Sequence, residues 1–207
     1  VDQRAVILAV DTAGPVVGVA RSSAPGVVAE SWSARITRGA DTQLAPQVQR
    51  MAAGVTHVAV SVGPGAFTSL RVGVSLALGL AVSRGAQVIP YGSLHARALG
   101  RPGPVLALLD GRKGRAYAAR FVDGVLQGPV QDIDPDALLS DPCAVTGEGA
   151  LVWGDRFSAA GFGVVDDPGR SPAEAMALDA WDQLERAMPP AAVVLDYIRP
   201  PDAKLPR

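Results

Sequence analysis

The first dozen residues set the pattern for the chain. Ala5 to Val10 is an unbroken run of small and branched apolar residues, which is how a strand covered on both faces reads. Asp11-Thr12-Ala13-Gly14-Pro15 breaks it with a polar turn, and Val16 to Ala20 resumes the strand pattern, so the two runs predict a hairpin. Gly26 to Trp32 supplies a candidate third strand. Thr42 to Ala53 changes period, with Leu44, Val48 and Met51 spaced as on a helix face and Gly54 as its stop. His57 to Val62 returns to strand. Thr68 to Arg84 then predicts a long helix whose Leu70, Val74, Leu78 and Val82 recur every four residues. Gly73 and Gly79 interrupt it, each at a cost of about 1 kcal/mol relative to Ala, so a close crossing is the expected reason for them. Val88 to Pro90 predicts a short strand and Ser93 to Leu99 a short helix.

Arg101-Pro102-Gly103-Pro104 is the expected internal boundary, dividing an N-terminal lobe (1–100) from a C-terminal lobe (101–207). Beyond it, Val105 to Leu109 and Arg115 to Val122 read as strands around the turn Gly111 to Gly114, and Asp123-Gly124 marks another hairpin. Ala144 to Thr146 predicts a strand running through Gly147-Glu148-Gly149 into a helix ending near Arg156. A last helix starts near Pro172 and is expected to reach Met188, before a proline-rich, extended tail over 191–207. Strand, Asp-bearing turn, strand and mixed elements thus occur twice, which suggests a duplicated α/β lobe.

Composition narrows the function classes. Hydrophobic residues make up 48% and charged residues 19% of 207, a folded rather than disordered balance. Nineteen basic against 20 acidic side chains leave a formal charge of -1, so bulk attraction to a phosphate backbone is excluded and RNA contact needs a local patch or a partner. The single Cys143 excludes an intrachain disulfide framework, and His57 and His95 alone make a poor metal cage. The start lacks a secretion-signal pattern and no apolar stretch reaches membrane-spanning length, so a cytoplasmic protein away from membranes is expected.

Four segments can carry chemistry. Asp11 and Thr12, at the end of the first strand, either hold a hydrated metal ion while turn amides meet phosphate, or satisfy amides of their own hairpin. In the segment Ser61 to Gly73, Gly63 and Gly65 permit unusual backbone angles and Thr68 is placed to cap the following helix. That leaves N–H groups for an anion, or else makes a tight turn feeding an interface helix. It is neither a Walker A loop nor a dinucleotide fingerprint. Arg112, Lys113 and Arg115 gather three cations suited to RNA phosphate or a partner carboxylate, or to a solvated hairpin. Gly147-Glu148-Gly149-Ala150 is a glycine turn able to approach an adenosine, or simply a helix start. There is no G-x-S-x-G elbow and no H-E-x-x-H, so catalytic and metal residues are assigned as none.

Ile7 to Ala13, the block Gly63-Pro64-Gly65-Ala66-Phe67-Thr68-Ser69-Leu70-Arg71-Val72-Gly73, the turn Asp110 to Tyr117 and the tail Asp196-Tyr197-Ile198-Arg199 together resemble the TsaB/YeaZ family, in its order and over almost the whole chain. The resemblance implies an α/β actin-like (ASKHA, ribonuclease H-like) fold with two related lobes. It implies a non-catalytic scaffold or activator of the complex that makes N6-threonylcarbamoyladenosine at position 37 of tRNA. The implied partners are a TsaD-like catalytic paralogue, a TsaE-like ATPase, tRNA through the complex, and a second copy as homodimer. ATP and metal would sit on the partners, with no cofactor here. The family's former M22 peptidase label has no chemical support in these residues. The partner interface is expected on Leu70, Arg71, Val74 and Leu78, and Asp11, Thr12, Gly63, Gly65 and Thr68 would form a turn or vestigial nucleotide site. Ser69 stands where the family has a third glycine and should be strained if a positive φ is needed there. Ala40 replaces a usual His, and Arg115 an acidic residue. The alternative expectation is a small actin-fold phosphotransferase working through Asp11 and the glycine turns.

Overall fold

The computed structural model describes residues 4–36, 40–165 and 169–199, so the last eight residues of the expected tail lie outside the described residues. The opening run folds as β1 (Ile7–Asp11), hairpin-paired to β2 (Val16–Ser22), which pairs antiparallel with β3 (Glu30–Arg35). The helix α1 (Ala40–Met51) leads to β4 (His57–Gly63), α2 (Phe67–Arg84), β5 (Gln87–Gly92) and α3 (Ser93–Ala98). β4 lies parallel to β1, and β5 parallel to β4, giving the strand order β3-β2-β1-β4-β5. The third strand lies later than its apolar pattern suggested. Residues 24–29 form a turn closed by an Ala24–Val27 bridge and by Ala29 N–H donating to the Arg21 carbonyl at 2.8 Å, and regular pairing begins only at Glu30.

Both faces of this sheet are covered, which explains the unbroken apolar run of β1. Its alternate side chains point to opposite faces. Leu8 and Val10 pack with Leu44, Val48 and Met51 of α1 and Val74, Ala77 and Ala81 of α2, whereas Ile7 and Ala9 pack with Ala96, Met176 and Trp181 on the other face.

The second sheet uses β6 (Pro104–Asp110), β7 (Ala116–Val122), β8 (Val125–Leu126), β9 (Gln131–Ile133), β10 (Ala144–Thr146) and β11 (Gly163–Val164). The order is β11-β10-β6-β7-β8, with β9 also on β7. Each lobe thus has a central strand (β1 or β6) with an antiparallel hairpin partner on one side and a parallel strand on the other, the echo read from the sequence. The helix α4 (Glu148–Ala159) buries Ala150, Trp153 and Phe157 against Leu106, Leu108 and Val145, with Phe157 edge-on to Phe162 at 5.0 Å.

The chain then departs from a simple two-part division at residue 101. The last helix, α5 (Pro172–Asp179), begins with a capping box between Ser171 and Glu174 and packs on β1, β2 and β4 of the first sheet. It stops well short of Met188, because the next residues are held in place. Trp181 Nε1 donates to the buried Ser22 hydroxyl at 2.7 Å, and Met188 exchanges backbone hydrogen bonds with Val88 at 2.8 and 2.9 Å. The tail continues across the first lobe, where Asp196 N–H donates to the Val62 carbonyl at 2.8 Å. Residues 104–164 therefore build the second sheet, and 172–196 return to the first. Among the described residues no helix is long and apolar enough to cross a membrane.

The two glycines of α2 have different reasons. A Cβ on Gly73 would fall inside contact distance of the Thr12 side chain, so the helix crosses the end of β1 where only glycine fits, while Gly79 faces open space. Gly73→Ala should cost about 1–3 kcal/mol through overpacking, despite a helix-propensity gain of about 1 kcal/mol. Adding Thr12→Ala should recover part of that loss, read as non-additivity of the two changes in urea denaturation.

Candidate interlobe site and partner surface

Asp11 ends β1 at the base of the cleft between the lobes and is completely buried. Its carboxylate accepts a short hydrogen bond from the Ser61 hydroxyl of β4 and one from Arg97 Nη2 at 3.0 Å. Arg97, on α3 and 5% exposed, fans its guanidinium across three acceptors. Nη1 donates to the Ser93 carbonyl at 2.9 Å, Nη2 reaches Glu148 Oε1 at 2.7 Å as well as Asp11, and Nε makes a short bond to Glu148 Oε2. Glu148 is the first residue of α4, so the guanidinium ties the second lobe to the first. Burial pushes the Glu148 carboxyl upward, but the charge and hydrogen bonds of Arg97 outweigh it and hold it below the usual carboxylate value. For Arg97, burial alone would lower the pKa, and Asp11 and Glu148 together raise it instead.

Hydrated metal does not fit this arrangement. The Asp11 oxygens are committed to Ser61 and to a guanidinium that already supplies the positive charge, and a side chain on Gly14 would run into Glu148 and Arg97. Thr12 is turned away from the cleft, donating to the Ser69 carbonyl of α2 at 2.7 Å. The glycine turn at 147–149 packs on β6: a Cβ on Gly147 or Gly149 would meet the Leu108 backbone. Among the described residues, no group of three or more His, Cys, Asp or Glu side chains is gathered to hold a metal ion.

The glycine block forms a tight turn under the C-terminal tail. Gly63 has φ +136 and a Cβ there would strike the Asp196 backbone; Gly65 lies against Ala13, whose carbonyl accepts from Ala66 N–H at 3.0 Å. Thr68 is not a cap. The helix begins one residue earlier, its cap residue is Ala66 without a side-chain hydrogen bond, and Thr68 is exposed within the first turn. Ser69 is also helical and not among the residues with positive φ, so replacing the family glycine brings no strain.

Leu70 and Val74, expected on a partner interface, lie inside this chain's own core. Leu70 packs with Leu94 and Leu109 between the lobes, and Val74 with the first-sheet cluster. Leu78 is half-buried and packs against that same cluster. The reason is angular: α2 carries apolar residues all round, and its buried line runs Leu70, Gly73, Val74, Ala77, Ala81. The opposite side exposes Arg71, Ser75, Gly79 and Val82, the last 71% exposed, with Val72 and Leu76 half-buried beside them. Arg71 is held outward by its neighbours, its guanidinium 3.8 Å over the Phe67 ring and its Nε donating to the Tyr197 hydroxyl at 3.1 Å.

The expected basic cluster divides. Arg112 and Lys113 sit on the β6–β7 turn at φ 66 and 54, and the Asp110 carboxylate accepts from Arg112 N–H at 2.8 Å. Arg115 is engaged instead by Asp132, 2.8 Å away, which also receives Arg199 of the tail at 2.8 Å. Burial pushes the Asp132 carboxyl up, and the two arginines more than reverse it. Arg115, where the resemblance implied an acid, thus finds its countercharge on β9. Ala40 opens α1.

Arg97 escaped the sequence reading altogether. A signal was available: an arginine among Leu94, Ala96, Ala98 and Leu99 is a charge on an apolar helix, which calls for a buried partner. Two residues before it on the same helix, His95 stacks on Phe121 of the second lobe at 5.6 Å and lies 6.0 Å from Tyr91. Burial lowers the His95 pKa, with Asp179 opposing and Arg186 reinforcing the shift and the Gly124 backbone favouring the charged ring. A histidine depressed in the native state leaves stability constant above the unfolded value of about 6.5 and removes it as pH falls through the window below. Urea midpoints measured from pH 7.5 to 5 should therefore fall with pH, and His95→Phe should flatten that part of the slope; carboxylate losses belong to lower pH.

A family model described as TsaD, tRNA N6-adenosine threonylcarbamoyltransferase, matches residues 21–134. Uncharacterised proteins of Mycobacterium tuberculosis and Mycobacterium bovis, Rv3421c and Mb3455c, are each 33% identical over 98% of this chain and 95% of their own length. Among solved structures, YeaZ from Pseudomonas aeruginosa superposes with a TM-score of 0.71 at 21% identity, covering 94% of this chain and all of that one. A second structure, of an uncharacterised protein similar to peptidase YeaZ from Pseudomonas aeruginosa, gives 0.74 at 19%, with the same coverage. The two-lobed α/β architecture expected from the sequence is the fold they share.

Proposed function

The chain belongs to the family whose model is described as TsaD, tRNA N6-adenosine threonylcarbamoyltransferase, and from that premise we propose that it is of the TsaB/YeaZ branch, a non-catalytic scaffold or activator working beside a TsaD-like paralogue in the formation of N6-threonylcarbamoyladenosine at tRNA position 37, a reading supported by the fold it shares with YeaZ. The observation that carries the scaffold reading is the buried Asp11–Arg97–Glu148 cluster. A phosphotransferase needs a carboxylate at the cleft base able to hold a hydrated metal ion, and here that carboxylate is neutralised by a guanidinium of the same chain. This favours the scaffold over a small actin-fold kinase, in which Asp11 would do chemistry.

The surface that serves a partner is the outward side of α2: Arg71, Val72, Ser75, Gly79 and Val82. Small residues at 75 and 79 let another helix approach closely, with Val72 and Val82 supplying apolar contact and Arg71 a charged end. The same surface serves a TsaD-like partner or a second copy, so the two assemblies exclude each other. A TsaE-like ATPase and tRNA join through the complex, with ATP and metal on the partners, in the cytoplasm. Arg112 and Lys113 are placed on an outer turn where they can contribute to RNA or partner contact.

Gly79→Trp and Ser75→Trp test this. Position 79 has open space around it, so the folded stability of the chain should change by no more than about 0.5 kcal/mol. Both variants should lose co-purification with the TsaD-like partner and self-association by light scattering, and the reconstituted mixture should lose most modified adenosine by nucleoside mass spectrometry. Val125→Trp, on β8 of the other lobe, serves as control. Unchanged pairing would remove α2 as the interface; modification at full rate with the chain omitted would remove the scaffold function itself.

A further inference from the structure

We infer that Arg97 is a fixed internal cation that sets the angle between the two lobes, so that the cleft neither opens nor closes in response to nucleotide. The first support is the charge count at the cleft base. Two carboxylates, Asp11 from the first lobe and Glu148 from the second, share one guanidinium, and all three groups are nearly or wholly removed from water. Without the guanidinium, two like charges would face each other across the lobe boundary, relieved at neutral and higher pH by separation of the lobes and at lower pH by protonation of one carboxylate.

The second support is that other ties hold the same angle from elsewhere around the boundary. Ala13, Leu70, Leu94 and Ala98 of the first lobe form one apolar cluster with Val105, Ala107, Leu109 and Phe121 of the second. On the tail side, Tyr197 rests on Phe67 at 5.1 Å, and two residues later Arg199 clasps Asp132 and the Gly111 carbonyl at 3.1 Å. On the far side the cleft is a cavity of about 920 Å³, walled by α3 and α5 on one side and the start of α4 on the other, with Arg97 and Glu148 in its lining. A cavity of that size between two lobes is room for hinge motion, and the guanidinium sits where the hinge would have to part.

The test is an interlobe distance measured by pulsed electron spin resonance, with spin labels at Asp155→Cys on α4 and Glu185→Cys beyond α5 in a Cys143→Ser background; both label positions are exposed. The parent should give one narrow distribution, unmoved by magnesium and ATP. Arg97→Met should shift it to longer distances and broaden it, and Asp11→Asn with Glu148→Gln added to Arg97→Met should restore it, since no like charges then remain. Arg97→Lys, which keeps the charge but loses the planar fork, should broaden the distribution to a lesser degree and decides the matter should Arg97→Met fail to fold. A parent distribution that moves with magnesium and ATP, or folded Arg97→Met or Arg97→Lys proteins with the parent's distribution, would overturn the inference. Loss of partner binding by the α2 variants leaves these distances untouched, so failure here and failure of the scaffold reading are distinguishable.

Discussion

One guanidinium between two carboxylates governs how this chain is put together. Taking three charges out of water costs several kcal/mol per ion, a cost offset only when every donor and lone pair finds a partner in good geometry. Arg97 meets that condition because its donors lie in a plane: one edge serves Glu148, the shared corner reaches Asp11, and the remaining nitrogen takes the Ser93 carbonyl. A lysine has three donors on a single point and cannot span the two carboxylates in this way. The Ser61 hydroxyl completes the set on Asp11. The cluster is thus better understood as a device fixing one arrangement than as a source of net stability, since an apolar replacement of similar volume often costs nothing, whereas deleting one member typically costs about 3–5 kcal/mol.

The second constraint is topological. The N-terminal sheet is finished by chain from the far end: α5, Trp181, Met188 and Asp196 all pack on strands laid down more than 90 residues earlier. The Pro-Gly-Pro punctuation near residue 101 marks where the chain leaves the first lobe, but nothing local to 165–172 announces its return. Such returns are closed by single long-range bonds, like that from Trp181 to Ser22, which a periodic pattern does not encode.

What was legible in the sequence follows from how local its cause is. The doubly covered β1, the two Asp-bearing hairpins and the glycine block depend on neighbours in the chain, and they appear where the pattern put them. The direction of α2 was not legible. Residues four apart on an α-helix advance by slightly more than one turn, so a line from Leu70 through Val74 and Leu78 to Val82 winds about a third of the way round the helix. It starts in the core and ends in solvent, and the small Ala77 and Ala81 carry the buried line that the larger residues seemed to claim. Arg97 was invisible for the opposite reason, because its meaning lies in two carboxylates 86 and 51 positions away. Of the expected site residues, Asp11, Gly63 and Gly65 are packed within the chain, and Arg71 alone of the interface set stands fully outward.

These constraints meet in α2. Thr12, next to the cleft-base carboxylate, donates to the carbonyl of Ser69 and fills the space that Gly73 leaves open, so the helix is pinned at its first turns to the end of β1. Its outer face, with Ser75 and Gly79, is therefore referenced to the same strand that carries Asp11. Coupling between a cleft and a distant surface requires an element with two discrete arrangements that both sites bias. A base clasped by Arg97, a seam packed between the lobes and a tail strapped across them leave α2 with a single arrangement. A surface held in this way suits a protein whose task is to position a neighbour, because rigidity in the free chain lowers the ordering cost when the neighbour binds.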